Sequence, residues 1–128
     1  MMESILEEIN STLPWTISNA SWTGDHLSLF GEKWSFNTPS VWRASQGRIV
    51  HVACYDTRSV NYIDSIRGQK VVGVALQSKG VPVDPILQIS NGDAIEIFST
   101  DTYEPWVLQL PNGAVFVAAP GDKDPFCT

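Results

Sequence analysis

Two Asn-Gly dipeptides, Asn91-Gly92 and Asn112-Gly113, each stand between runs of alternating apolar and polar residues. Asn-Gly readily takes the positive φ values of a type I′ turn, whose twist matches that of the flanking strands, so each dipeptide predicts a tight hairpin. The flanking runs are Ile86-Leu87-Gln88-Ile89 and Ala94-Ile95-Glu96-Ile97-Phe98, then Trp106-Val107-Leu108-Gln109-Leu110 and Ala114-Val115-Phe116-Val117. With Val71-Val72-Gly73-Val74-Ala75-Leu76 ahead of them, the second half of the chain reads as an antiparallel meander.

The first half begins differently. Ile5, Leu6, Ile9 and Leu13 recur at helical spacing over residues 3 to 13, with Glu3, Glu7 and Glu8 on the other faces and Pro14 as a stop. Beyond it the period falls to two: Leu27 and Leu29, then Trp34 and Phe36, alternate across a turn at Gly31-Glu32, which predicts strands near 25–30 and 33–37. Arg48 to Ala53 reads as a further strand, and Val60, Ile63 and Ile66 allow a short helix ending at Gly68. The halves also echo each other. Leu27-Ser28-Leu29 aligns with Leu87-Gln88-Ile89 at an offset of 60, Trp34 and Phe36 align with Ile95 and Ile97 at 61, and a Trp follows each hairpin, Trp42 and Trp106. A duplicated β unit and the generic likeness of any two hairpins both account for this.

A chain of 128 residues buries enough surface to hold a core without disulfides or metal, and no linker rich in Gly, Ser or Pro divides it. One domain over residues 1–128 is expected, of α+β class: an N-terminal helix on a twisted, mainly antiparallel sheet or half-barrel of seven to nine strands, with two related β units as one option. The opening residues lack the basic flank and apolar core of a secretory signal, and no apolar run reaches membrane-spanning length. Cys54 and Cys127 lie 73 positions apart with no CxxC or Cys/His cluster. A cytoplasmic protein with two free thiols is the expectation.

The charge is lopsided. Residues 1 to 79 carry seven acids and seven bases, whereas residues 80 to 128 carry Asp84, Asp93, Glu96, Asp101, Glu104, Asp122 and Asp124 against Lys123 alone, so the entire net charge of −6 belongs to the last third. Nucleic acid is a poor partner for such a chain, because its affinity comes from Lys and Arg neutralising phosphates. The bias serves either solubility or recognition of a basic partner.

Catalytic chemistry is thinly supplied. The two histidines, His26 and His51, lie in no recognised motif, and HExxH, GxSxG, GxGxxG and the P-loop are absent. His51 and Cys54 are three apart, which places them on opposite faces of a regular strand. No enzyme, catalytic residue, cofactor or metal is therefore expected. Five tryptophans invite a stacking reading, but aromatics at strand spacing more often build core, so Trp34, Trp42 and Trp106 are assigned there. Trp42-Arg43 suggests an architectural guanidinium, with Asp56 as its expected carboxylate and cation–π packing as the alternative.

In order along the chain, Trp42-Arg43, Ala53-Cys54-Tyr55-Asp56, Gly68-Gln69-Lys70-Val71-Val72, Leu87 to Phe98 and Tyr103-Glu104-Pro105-Trp106 resemble a family of small bacterial β-rich proteins of undefined biochemistry. Some similar proteins look like immunity proteins encoded beside polymorphic toxins, including those of contact-dependent growth inhibition. The resemblance spans roughly residues 15 to 119 and supplies no catalytic residues. It implies a non-catalytic protein that neutralises a cognate toxin domain. A nuclease toxin is basic, and an acidic inhibitor steers to such a surface. Asp93, Glu96, Asp101 and Glu104 are the expected partner-binding patch, with Trp42, Arg43, Asp56 and Trp106 as structural residues. Two rivals make other demands: an adaptor or assembly subunit needs an exposed apolar patch, for instance at Trp15 and Trp22, and a small-molecule or carbohydrate binder needs a pocket where tryptophans converge.

Overall fold

The computed structural model describes residues 2–78, 80, 83–119 and 126–127. Asp122, Lys123 and Asp124 lie outside them, as does the side chain of Cys127. The chain runs α1 (Met2–Ser11), β1 (Trp15–Thr16), β2 (Asn19–Trp22), β3 (Leu27–Gly31), β4 (Trp34–Thr38), β5 (Val41–Gln46), β6 (Ile49–Ala53), α2 (Ser59–Ser65), β7 (Lys70–Leu76), β8 (Pro85–Ile89), β9 (Ala94–Phe98), β10 (Val107–Gln109), β11 (Val115–Ala118) and β12 (Phe126–Cys127). The α+β class and the N-terminal helix are as the sequence predicts. The strands are more numerous than seven to nine and are divided between two antiparallel sheets that do not close into a barrel. The first sheet has the order β1-β7-β8-β9-β5-β6; the second runs β2-β3-β4-β10-β11, with the short β12 beyond β11. Both Asn-Gly sequences turn a hairpin, but not as the expected type I′ turns: Gly92 (φ +96°) and Gly113 (φ +90°) take positive φ while Asn91 and Asn112 do not, and each glycine N–H closes the turn on the carbonyl three residues back, Ile89 O and Leu110 O, both at 3.0 Å. Gly68, at φ +88°, follows the end of α2.

Four strands escaped the sequence pattern: β1, β2, β5 and the two-residue β12. In β2 the inward positions are Ala20 and Trp22, in β5 they are Trp42 and Ala44, and β1 has only two residues. A small alanine and a single tryptophan per strand give too weak an alternation to read locally.

The halves share one order of elements. Each has a helix, a three-stranded meander and a hairpin: α1, β2-β3-β4 and β5-β6, then α2, β7-β8-β9 and β10-β11. Each meander stays within one sheet, and each hairpin crosses to the other, β5 pairing with β9 and β10 with β4. The helices follow the same exchange, α1 packing on β7 and α2 on β2. Neither half can complete a sheet alone, which is why the two form one core.

That core is built from the inward face of every long strand. Leu27, Leu29 and Phe36 from the second sheet and Leu87, Ile95 and Ile97 from the first are at most 1% exposed. Burying each such side chain contributes about 1.5–3 kcal/mol. Tryptophans join the layers: Trp15 stacks on Trp34 with centroids 5.0 Å apart, and Trp22 meets Trp42 edge to face at 5.6 Å. Indole N–H groups find backbone acceptors, Trp22 donating to Cys54 O (3.0 Å) and Trp106 to Val83 O (2.8 Å) in the interior, and Trp34 to Thr16 O (2.8 Å) nearer the surface. Trp42 Nε1 is buried with no acceptor among the described residues. Cys54 is a buried free thiol.

Candidate functional site

The four expected partner-binding carboxylates fall into two groups. Asp93 is 7% exposed and faces inward at the start of β9. Its Oδ2 accepts Tyr62 Oη at 2.7 Å and Asn91 Nδ2 at 3.2 Å, and its own N–H bonds Asn91 Oδ1 at 2.9 Å. His51 Nε2 lies 3.3 Å from Asp93 Oδ1, near enough for an ion pair once protonated but out of line for a hydrogen bond. Tyr62 also stacks on Trp42 and meets the His51 ring edge to face. The cluster therefore ties α2 to the first sheet through one buried carboxylate. Burial, followed by the bond to Asp93, pushes the Tyr62 phenol well above the usual tyrosine range.

Glu96 is on the outer face of β9 as its alternation predicts, but it is engaged there. Arg43, opposite it on β5, donates Nε to Oε1 at 3.0 Å and Nη2 to Oε2 at 3.1 Å, and Ser45 Oγ donates to Oε1 at 2.9 Å. These bonds, the guanidinium first, hold the Glu96 carboxyl below its ordinary range against the opposing effect of burial. The same bond raises Arg43. Arg43 also covers the Phe98 ring at 4.9 Å. The expected carboxylate for Arg43 was Asp56; the structure gives Glu96 instead, because cross-strand register sets the two directly opposite, while the cation–π contact forms as well.

Asp56 has another task. Its Oδ2 accepts Ala53 N–H at 2.9 Å and its N–H donates to Ala53 O at 3.0 Å, while Arg58 Nη2 donates to His51 O at 2.9 Å. β6 is the last strand of the first sheet, and these residues occupy backbone groups along its outer edge. Asn10 does the same for β7, bonding Val74 through both N–H (3.1 Å) and O (2.9 Å). Side chains standing in for a missing strand prevent edge-to-edge pairing. Nothing in the local sequence signals this role, because it depends on where the following loop folds back.

Asp101 and Glu104 are exposed, and they lie in the crossing from β9 to β10. The equivalent crossing in the first half, from β4 to β5, takes only Pro39 and Ser40, whereas this one takes residues 99–106. The fold thus needs two residues here and the chain spends eight. The longer loop is held at both ends. Thr38 Oγ1 and Ser40 Oγ, both fully buried, donate to Pro105 O at 2.6 and 3.1 Å, and Ser99 N–H donates to Asp84 Oδ1 at 2.8 Å. Within it, Asp101 Oδ1 accepts Tyr103 N–H at 2.8 Å, a local turn bond. Glu104 sits at φ +53°, a conformation that L residues avoid. The tip presents the Tyr103 ring, 76% exposed, between two carboxylates. Sequence reasoning found Asp101 and Glu104 by charge but passed over Tyr103, whose signal was an aromatic between acids in a loop.

The tryptophans fit neither rival reading. All five are 1–6% exposed, so Trp15 and Trp22 form no surface patch and no indole face is open for stacking. Trp15 and Trp34, stacked on each other, do line a surface groove of about 360 Å³ with Pro14, Thr16, Ser18, Glu32 and Pro111, but at 2% and 3% exposure they offer it almost no surface. Among the described residues no group of three or more His, Cys, Asp or Glu is placed to hold a metal ion, and no helix is long and apolar enough to cross a membrane. Compared with protein-family models, with curated proteins and with solved structures, the chain shows no match.

Proposed function

We propose that the protein is a non-catalytic, cytoplasmic binding protein of the immunity type, which neutralises a basic toxin domain, for example a nuclease, by covering its active surface. The observation that carries this reading is the β9–β10 crossing: a loop longer than its counterpart in the other half, anchored by buried hydroxyls, with Tyr103 between Asp101 and Glu104. A tyrosine has few rotatable bonds to immobilise on docking, and tyrosine is favoured at interface centres. The two flanking carboxylates draw a basic surface toward it. Asp93 and Glu96 serve this face from behind, as supports of the sheet that bears the loop, not as contacts.

The test is to co-express the chain with the C-terminal domain of the large protein encoded immediately upstream. The expected result is one complex on size exclusion and rescue of growth. A triple variant, Asp101→Lys, Tyr103→Ser and Glu104→Lys, that stays folded is expected to lose rescue. Neither complex nor rescue with the parent chain overturns the reading; intact rescue by the triple variant removes the loop from it.

A further inference from the structure

In an Asn-Gly pair the glycine nitrogen has no Cβ beside it and can close on the asparagine Cγ, which makes this asparagine a chemically labile side chain. The chain has two such pairs, Asn91-Gly92 and Asn112-Gly113, both exposed and both in hairpin turns. The turns match in their basic bonds. Each asparagine Oδ1 accepts the N–H two residues on, that of Asp93 at 2.9 Å and that of Ala114 at 3.0 Å, and each glycine N–H closes on the carbonyl three residues back at 3.0 Å.

Their surroundings differ. Asn91 Nδ2 donates to Asp93 Oδ2 at 3.2 Å, Asn91 O accepts Gln46 Nε2 at 3.4 Å, and the same Gln46 amide lies over Gly92, 2.9 Å from where a Cβ would stand. The buried Asp93 carboxylate also opposes the negative charge that the glycine nitrogen carries as it attacks. β8 and β9, which this turn joins, are inner strands of the first sheet, paired outward with β7 and β5. Asn112 keeps only the Oδ1 bond among the described residues, and a Cβ built at Gly113 meets nothing within 4 Å. Beyond β11 there is only the two-residue β12. A turn must open locally for its glycine nitrogen to attack, and a hairpin with so little beside it opens at lower cost.

We propose that Asn112 is a site of spontaneous deamidation in the folded protein, and that the fold protects Asn91 although its sequence is of the same type. Gly113 N gives up its proton and bonds Asn112 Cγ, and Nδ2 leaves with that proton as ammonia, closing a five-membered succinimide. Water then adds to one of the two ring carbonyls and breaks its bond to the ring nitrogen. Opening at Cγ gives an ordinary aspartate at position 112. Opening at the main-chain carbonyl gives an isoaspartyl link, in which the chain runs through Cγ and is one atom longer. The net change is one water consumed and one ammonia released, with no oxidant or reductant. Either product makes the chain one unit more negative than −6. The isoaspartyl form also lengthens the turn that sets Leu110 N–H on Ala114 O at 2.8 Å, which loosens the β10–β11 hairpin.

Mass spectrometry on the full chain tests this, after incubation of the folded protein at mildly alkaline pH. Each deamidation adds about 1 Da. Brief chymotryptic digestion separates the two asparagines by cutting after Phe98; trypsin leaves them in one peptide, because no Lys or Arg lies between Lys79 and Lys123. In the folded protein Asn112 is expected to react at least about tenfold faster than Asn91, which is about 1.4 kcal/mol on the barrier. In concentrated urea the two rates are expected to converge, since what restrains Asn91 belongs to the fold. Asn112→Ser keeps an oxygen at the turn and is expected to abolish the fast reaction, with circular dichroism showing that it folds; the comparison of the two sites in the parent stands without it. Asn91 reacting as fast as Asn112 in the folded parent overturns the proposal. So does an Asn112 that stays intact while the chain in urea deamidates, or a difference between the sites that persists undiminished in urea.

Discussion

Tyr62→Phe removes a single oxygen and tests whether one buried carboxylate fastens α2 to the first sheet. In the parent, Asp93 Oδ2 accepts the phenol at 2.7 Å while the carboxylate side chain is only 8% exposed, so water cannot readily replace the lost donor. A hydrogen bond to a charged acceptor is worth about 1.5–3 kcal/mol, and Asn91 remains as a second donor, so a loss of about 2 kcal/mol is expected. Unfolding entropy of about 2.1 cal/mol/K per residue, over 128 residues, gives about 0.27 kcal/mol/K, and the melting temperature should fall by about 7 °C. Differential scanning calorimetry at neutral pH reads this directly. Asp93→Asn should cost a similar amount, and the double variant should cost less than the two together, with a coupling of about 1–2 kcal/mol. The alkaline limb gives an independent reading. The Tyr62 phenol is raised in the folded state, so its contribution is complete below the unfolded value of about 10 and disappears as pH rises beyond it, the unfolded chain ionising first. Tyr62→Phe should flatten that loss. A melting temperature within about 1 °C of the parent together with additive double-variant behaviour would refute the clasp.

The remaining outcomes follow from the same geometry. Glu96 is held below its ordinary range by Arg43, so its contribution to stability is present above the unfolded carboxylate value and is lost as pH falls through the folded one; Glu96→Gln should reduce acid-induced destabilisation in urea melts between about pH 5 and pH 2. Arg43→Ala, at a site where the Arg43 side chain is 42% exposed, should cost about 1 kcal/mol by chemical denaturation, and a cost above about 3 kcal/mol would refute the assignment of a solvent-screened pair. Gly31→Ala would drive a methyl group into Thr16 O and Trp34 Nε1, where backbone cannot yield, so a loss of about 1–3 kcal/mol is expected by chemical denaturation. Asp56→Ala frees the backbone groups of Ala53 at the β6 edge; faster aggregation on mild heating, followed by light scattering, is expected beyond what the small stability loss explains.

Much of this protein could be read locally. The Asn-Gly turns, the alternation of Ile95 and Ile97 and the helical spacing of Ile5, Leu6 and Ile9 each act within a few residues, and local backbone preference is enough to set them. The echo between Leu27-Ser28-Leu29 and Leu87-Gln88-Ile89 pointed to two related units for the same reason. What the sequence could not contain was the exchange of hairpins between sheets, because the pairing of β5 with β9 and of β10 with β4 joins segments some fifty to seventy residues apart. That exchange decides the rest. It sets Arg43 opposite Glu96 and not beside Asp56, turns Asp93 inward beneath Tyr62, and makes the β9–β10 crossing the place where surplus residues project. Charge counting along the chain treats Asp93, Glu96, Asp101 and Glu104 alike, since each is one negative unit in the last third. Only the tertiary structure separates them, because whether a carboxylate is paired, buried or free depends on which groups from distant strands arrive beside it.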